Sequence, residues 1–224
     1  MSSALRVAPT RSRIPLLVFG LTVAISAATA WPAAAKEETG EPVEFDRQVR
    51  FVSTSTVNDA LTGDIDGRLY AESRGTRVLA AQRKGYSIDT LEAADFGGGK
   101  LLVAGWVSGG KARYLIPEVF KVVESGGAGT RLVKVWGPFE EKPPYEGDMR
   151  IEEKAGKSRL IVEDSLVYHN FVAPHLRRTT IWSWKGDSLE AGESTYGEPT
   201  SAYQKSNLAY EFYTRGNHKK SLRL

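Results

Sequence analysis

Residues 101–124 read LLVAGWVSGGKARYLIPEVFKVVE, and this stretch sets the predicted architecture. Its two apolar runs, Leu101–Val107 and Arg113–Glu124, are rich in Val, Ile, Leu and aromatic residues, which pack well on a pleated sheet. Ser108-Gly109-Gly110 separates the runs and supplies residues that tolerate a positive φ. Because so short a break is typical of a hairpin, the sequence predicts two neighbouring antiparallel strands here.

The same pattern continues on both sides of this stretch. Runs of β-type residues alternate with glycine-containing turns and predict strands at Phe45–Ser53, Arg68–Ser73, Thr76–Arg83, Arg131–Trp136, Met149–Glu153, Ser158–Glu163 and Arg177–Lys185. The pattern differs from the strands alternating with long helices that a parallel α/β fold requires. We therefore predict an all-β (β-rich) fold, an antiparallel sandwich or barrel of short, hairpin-connected strands.

Two segments could be helical. Thr54–Leu61 could form one or two turns, so the predicted fold allows one short helix near residues 54–61. Ser201-Ala202-Tyr203-Gln204 is a capping-box pattern, and Gly216 is placed to end a helix. Between 207 and 214, however, large apolar residues alternate with polar or small ones, which favours an edge strand.

The first 35 residues have the three parts of a cleavable secretory signal peptide. Three arginines without an acidic residue precede an apolar segment from Ile14 to about Ala30, and two A-x-A sites end at Ala30 and Ala35. Pro15 and Gly20 interrupt this segment, which falls short of the roughly 20 strongly apolar residues that a spanning helix needs. We expect cleavage near Ala30 or Ala35 and a mature protein that is periplasmic or secreted.

The remaining chain is predicted to form one domain. Residues 36–44 are polar and read as a linker, residues 45–214 as a single β-rich domain, and residues 215–224 as a basic tail. The sequence has 30 basic and 27 acidic residues, so losing three arginines with the signal would leave 27 of each. A neutral chain does not favour nucleic-acid binding, which usually needs a basic face. With no cysteine, thiol catalysis is excluded, and the composition suits an oxidising compartment.

The known nucleophile motifs find no match in this sequence. Gly105–Gly109 places its serine one position too late for a nucleophile elbow, and Ser108–Lys111 matches S-x-x-K only in letters. The acidic pairs Glu140-Glu141, Glu152-Glu153 and Glu163-Asp164 are adjacent, and adjacent side chains on a strand point to opposite faces. An exported hydrolase or carbohydrate-active enzyme remains the alternative function, if distant carboxylates converge in the fold.

Two stretches contain residue types that ligate metal ions. Asp64-Ile65-Asp66-Gly67 lacks the spacing of a calcium loop and is interpreted as an Asp-Gly turn before the strand at residue 68. Asp164, His169 and His175 would be the ligands of a metal-binding export protein, the third option. The six-residue spacing of the histidines differs from the i, i+4 pair of zinc proteases, so ordinary loop residues are favoured and no cofactor is expected.

Aromatic residues are the best candidates for ligand binding. Trp182 and Trp184 lie two apart in a predicted strand, so both indoles share one face. They could stack on sugars or on a partner's side chains, or they could fill the core between sheets, which we favour because large aromatics dominate buried area. If they are exposed, Tyr168 and Tyr114 are expected to accompany them. We thus predict a non-catalytic binding module for an extracytoplasmic protein or glycan, without a stable membrane anchor after processing.

Overall fold

The computed structural model describes residues 36–59, 64–110, 112–125, 129–139, 141–168 and 174–224. The predicted signal peptide lies outside these ranges. None of the helices within them combines the length and apolar character that a membrane crossing needs. The described elements are β1 (Lys36–Thr39), β2 (Val43–Glu44), β3 (Val49–Asp59), β4 (Asp64–Ser73), β5 (Thr76–Lys84), β6 (Tyr86–Asp95), β7 (Lys100–Ser108), β8 (Leu115–Ser125), β9 (Gly129–Trp136), β10 (Asp148–Lys154), β11 (Lys157–Leu166), β12 (Leu176–Lys185), β13 (Ser188–Tyr196), α1 (Ala202–Thr214) and α2 (His218–Ser221).

The described strands form two sheets. The large sheet has nine strands in the order β1-β3-β4-β6-β7-β8-β9, with β2 paired to β3 and β5 paired to β4. The small sheet is the antiparallel series β10-β11-β12-β13. In the large sheet one parallel bridge, between Asp66 and Tyr86, joins β4 to β6, and the other strand pairs are antiparallel. The predicted all-β, antiparallel, sandwich-like fold is confirmed.

Strand β7 belongs to two cores at once. It contains the predicted strand Leu101–Val107 and pairs with β8 in antiparallel register. Because successive side chains on a strand point to opposite faces, its even-numbered residues from 102 to 106 enter one core and residues 101, 103 and 107 enter the other. Each fully buried large apolar side chain contributes about 1.5–3 kcal/mol, so this single strand supports both cores.

The first core lies on one face of the large sheet. Its buried residues come from strands far apart in the strand order, so the sheet curls around them: Val49, Phe51, Leu69, Ala71, Leu102, Ala104, Trp106, Ile116 and Phe120. Strands β5 and β9 contact each other as a result of this curl. The buried carboxylate of Glu118 on β8 accepts hydrogen bonds from Arg83 of β5 (2.9 Å) and Lys134 of β9 (3.3 Å).

The second core lies between the two sheets and makes the fold a sandwich. The part of the chain that precedes the small sheet contributes Phe96, Leu101, Val103, Val107, Leu115, Val119 and Trp136. The small sheet contributes Met149, Leu160, Val162 and Leu189. We call this second core the sandwich core. It covers only part of the inner face of the small sheet, so the rest of that face is left for the helix.

Helix α1 packs on the part of the small sheet beyond the sandwich core, through a cluster of Leu166, Leu176 and Leu208. The Ser201 side chain caps it by accepting from the backbone N–H of Gln204 (3.2 Å). The predicted edge strand over 207–214 is therefore wrong, and the capping box indicated the true structure. The buried residues of α1 are Gln204, Asn207, Leu208 and Glu211, which have helical spacing but are mostly polar, so the apolar pattern alone did not reveal them.

Three further expectations differ from the structure. The short helix near residues 54–61 is wrong for its described part, because Thr54–Asp59 continues β3 and residues 54–57 pair with β4; residues 60–63 lie outside the described ranges. The Asp-Gly turn is also wrong, because Asp64 to Gly67 already belong to β4. Residues 36–44, expected as a linker, contribute β1 and β2 to the large sheet, and the basic tail contains α2.

Candidate functional site

A cleft of about 190 Å³ opens on the inner face of the small sheet, between the sandwich core and helix α1. Its floor is formed by alternate residues of three neighbouring strands: Val162 and Asp164 on β11, Arg178, Thr180 and Trp182 on β12, and Ala191 on β13. Its walls are Phe139, which follows β9, and Arg215 at the end of α1. The register pairs Val162 with Thr180 and Asp164 with Arg178, so these side chains lie side by side on one face. We call this site the cleft.

One side of the cleft is aromatic. Trp182 packs edge-to-face against Trp136 (4.8 Å between ring centroids) and Phe139 (5.6 Å), and these two rings also contact each other (5.7 Å). Edge-to-face packing of this kind fixes the rings more firmly than burial alone. The indole Nε1 of Trp182 is buried without a hydrogen-bond partner among the described residues. Trp182 therefore packs against the sandwich core and also lines the aromatic side of the cleft.

The other side of the cleft is ionic. Arg178 donates from Nε to Oδ1 of Asp164 (2.9 Å) and from Nη2 to Oδ2, a two-pronged pairing that matches the planar fork of a guanidinium. Its Nη1 donates to Oε1 of Glu211 on α1 (2.8 Å). Arg178 thus connects the floor of the cleft to the helix.

Glu211 collects four donors. Besides Arg178, it accepts from the hydroxyl groups of Tyr168 and Tyr196 (3.3 Å for Tyr196) and from Nε of Arg215 (2.5 Å). Its side chain is only 4% exposed. A buried carboxylate is costly unless its oxygens are fully hydrogen-bonded, and this one is. We call Asp164, Arg178, Glu211 and Arg215, with the two tyrosines, the ionic network.

The network holds its charges in place. Burial opposes the charge of Arg178, but hydrogen bonds and charges from Asp164 and Glu211 outweigh it, so the pKa of Arg178 lies above its ordinary value. Burial also acts to raise the pKa of Glu211, yet the Tyr168 hydrogen bond and the two arginines outweigh it and lower that pKa. Burial first, and then the Glu211 carboxylate, raise the pKa of Tyr168 and of Tyr196.

The four predicted ligand-binding aromatics lie at different places. Trp182 lines the cleft, and Tyr168 reaches the ionic network through Glu211. Trp184 packs against the sandwich core. Its indole lies so close to Gly98 that a Cβ at that position would clash with Nε1. Tyr114 packs against Tyr145 (5.6 Å) and does not line the cleft.

The proposed metal ligands do not form a cluster in the described part of the chain. Asp164 is held by Arg178, whose guanidinium occupies both carboxylate oxygens. His175 packs edge-to-face against Tyr145 (5.6 Å), and His169 lies outside the described residues. Across the described ranges, no three His, Asp or Glu side chains are arranged to hold a metal ion.

Sequence reasoning missed Arg178, Glu211 and Arg215. Arg178 lies in a predicted strand, in phase with Trp182, so alternation alone could have placed both on one face. Glu211 and Arg215 are four residues apart, a signal that is visible only once the segment is recognised as a helix.

Comparison of the chain with known protein families, with curated proteins and with solved structures finds no match. The geometry of the cleft is therefore the basis for assigning a function.

Proposed function

We propose that the protein is an exported, soluble, β-rich binding module without catalytic activity of its own, and that it binds its partner through the cleft. The observation that carries this proposal is the pairing of a rigid aromatic wall with a fully hydrogen-bonded ionic network on one sheet face. Pockets for whole small ligands usually measure roughly 300–1,000 Å³. The cleft, at about 190 Å³, suits one side chain or one sugar ring of a larger protein or glycan.

The titration behaviour of the network favours binding over proton transfer. A general acid or base works best when its pKa lies near the working pH. In the ionic network the pKa of Glu211 is lowered and the pKa values of Tyr168 and Tyr196 are raised, so the pKa of each group lies farther from neutral pH. These groups keep fixed charges and fixed positions, as a binding surface requires.

The cleft also offers polar contacts to a ligand. Arg215 is about half exposed and uses its Nε on Glu211, while its terminal nitrogens make no hydrogen bond or ion pair with the described residues. Thr180 shares a hydrogen bond with Ser194 (2.9 Å) at the floor. An apolar ring against Trp182 with an acceptor group toward Arg215 is the pose that these contacts support.

Binding is tested by filling the cleft. Ala191 is exposed and faces the cleft beside Trp182, so Ala191→Phe inserts a ring without enlarging a core side chain. Glu190→Phe is the matched control, on the same strand but the opposite face. Monosaccharides and N-acetylated amino acid amides are screened by saturation-transfer NMR. We expect hits that Ala191→Phe abolishes and Glu190→Phe retains; hits that survive Ala191→Phe contradict the cleft as the site.

Export is tested independently of the ligand. The signal-peptide pattern supports a mature chain that begins at Trp31 or Lys36. Intact-mass measurement of the protein recovered from the extracytoplasmic fraction of expressing cells gives the first residue directly. A recovered chain that still begins at Met1 contradicts cleavage.

A further inference from the structure

A second cavity, of about 460 Å³, lies at one end of the large sheet, away from the cleft residues. It is formed by the β2–β3 turn and the β4–β5 turn. The charged residues lining it are Glu44, Arg47, Arg50, Glu72, Arg74 and Arg77. We call it the arginine groove.

Two tight turns present these arginines. In the β2–β3 turn, Oδ1 of Asp46 accepts from the backbone N–H groups of Gln48 (2.7 Å) and Val49 (2.8 Å) and fixes the chain around Arg47. In the β4–β5 turn, Arg74 and Gly75 both have a positive φ, 50° and 78°. Asn-Gly is the favoured pair for such a turn, because a longer side chain is strained in the left-handed region. An arginine here keeps a cation at the tip in spite of that strain.

The groove has more cations than its carboxylates can neutralise. Glu72 is shared by Arg50 (Nε–Oε2 2.8 Å) and Arg77 (Nε–Oε1 3.7 Å). Arg74 donates to the neutral amide of Gln48 (3.0 Å), and neither Arg47 nor Arg74 forms an ion pair with the described residues. Four guanidinium groups against two carboxylates give a lining charge of +2, whereas the whole chain of 224 residues carries only +3.

One of these guanidinium groups is held in a fixed orientation. The Arg77 guanidinium carbon lies 4.0 Å from the centroid of the Tyr70 ring. Stacking on an aromatic ring orients the planar fork, so less conformational entropy is lost when the fork binds an anion.

We propose that the arginine groove binds phosphate groups that carry two or more negative charges, such as a diphosphate or a phosphate monoester. Guanidinium forks bind phosphate oxygens through paired, charge-assisted hydrogen bonds, and a dianion matches the lining charge. Such groups occur on soluble molecules and on lipid headgroups. The exposed Val78 and Leu79 follow Arg77 on β5, so a lipid headgroup is one of the two sources to be tested.

The test uses the mature chain and two probes at low ionic strength. Inorganic pyrophosphate is titrated by isothermal calorimetry, and phosphatidylcholine vesicles with and without phosphatidic acid are tested by co-sedimentation. The key variant is Arg47→Gln with Arg74→Asn, and Arg131→Gln, an exposed arginine on β9, is the matched control. Asn tolerates the left-handed region better than Arg, so Arg74→Asn is expected to unfold at the same temperature or higher.

We expect the double variant to weaken binding by about tenfold or more, the control to have no effect, and salt to weaken binding in the parent chain. Pyrophosphate binding lost in the double variant assigns the groove to soluble phosphate compounds. Binding only to vesicles with phosphatidic acid, lost in the same variant, assigns it to a lipid headgroup. Failure to bind either probe, or equal losses in the double variant and the control, overturns the proposal. Arg47→Gln alone gives the same comparison if the double variant does not fold.

Discussion

Arg178 joins the two structural parts of the cleft, because one guanidinium binds Asp164 on the sheet and Glu211 on the helix. In Arg178→Met, both carboxylates keep their burial but lose this donor. Removing one partner of a buried ion pair costs about 3 kcal/mol, so the free energy of unfolding is expected to fall by that amount. Urea denaturation followed by circular dichroism measures the change.

The neighbouring Arg177 is the matched control for that variant. It is 43% exposed and lies on the opposite face of the strand, where it donates to the backbone oxygen of Glu146 (2.7 Å) and lies 3.8 Å from Glu163. Exposed pairs contribute little, so Arg177→Met is expected to lower the free energy of unfolding by less than about 1 kcal/mol. Equal losses in the two variants would show that Arg178 has no special role.

The ionic network makes folding stability depend on pH in two windows. The pKa of Glu211 is lowered from its ordinary value of 4.5, so its contribution is complete above that pH and is lost as the pH falls through the lowered pKa. The pKa of Tyr168 is raised from 10.0, so its contribution is complete below that pH and is lost as the pH rises further. Thermal unfolding from acid to alkaline pH should therefore show stability falling at both ends.

Two substitutions test these windows, and each also acts on the other window because Glu211 and Tyr168 shift each other's pKa. Glu211→Gln should remove part of the fall at acid pH, and Tyr168→Phe should remove part of the fall at alkaline pH. Absorbance of the tyrosinate form should show fewer tyrosines that ionise only well above pH 10 in Tyr168→Phe. Variant curves that run parallel to the parent curve at both ends would contradict the assignment.

Gly67 on β4 packs closely against β6. A Cβ on Gly67 would lie 2.6 Å from the backbone oxygen of Tyr86 and 3.2 Å from the Trp106 ring. Gly67→Ala should therefore push β6 or the first core apart and destabilise the fold by about 1–3 kcal/mol. At Gly197 the nearest atoms would be 3.5 Å and 3.8 Å away, so Gly197→Ala serves as a control with little expected effect. Thermal unfolding of both variants makes the comparison, and a stable Gly67→Ala protein would refute the close approach.

The elements that sequence reasoning found and missed differ in where their side chains lie. Predicted strands such as Leu101–Val107 have many large apolar residues because both faces are buried. Strand β6 reads YSIDTLEAAD and is partly buried along its length, and β13 is mostly exposed, so neither has a clear apolar alternation. Helix α1 was missed because its buried face is largely polar.

The candidate site could likewise be predicted only in part from the sequence. Trp182 and Asp164 were recognisable from residue type alone, although as members of two separate sites. Their proximity depends on the register between β11 and β12, and their link to Glu211 depends on where α1 packs. Both are tertiary facts that a single sequence does not specify.

The two main cores share β7, so the described chain is expected to unfold as one cooperative unit. The described residues between 36 and 224 form a single compact unit, and separating β7 from its neighbours would expose part of both cores. Trp106 reports on the first core, whereas Trp136 reports on the sandwich core. Urea unfolding followed by tryptophan fluorescence and by circular dichroism should then give the same midpoint and slope. The indole Nε1 of Trp106 has no partner among the described residues, so Trp106→Phe removes no hydrogen bond made by them. In this variant the emission comes from the sandwich-core side, and its unfolding midpoint should still coincide with the midpoint from circular dichroism. Separate midpoints would mean that the cores unfold independently and that β7 does not couple them.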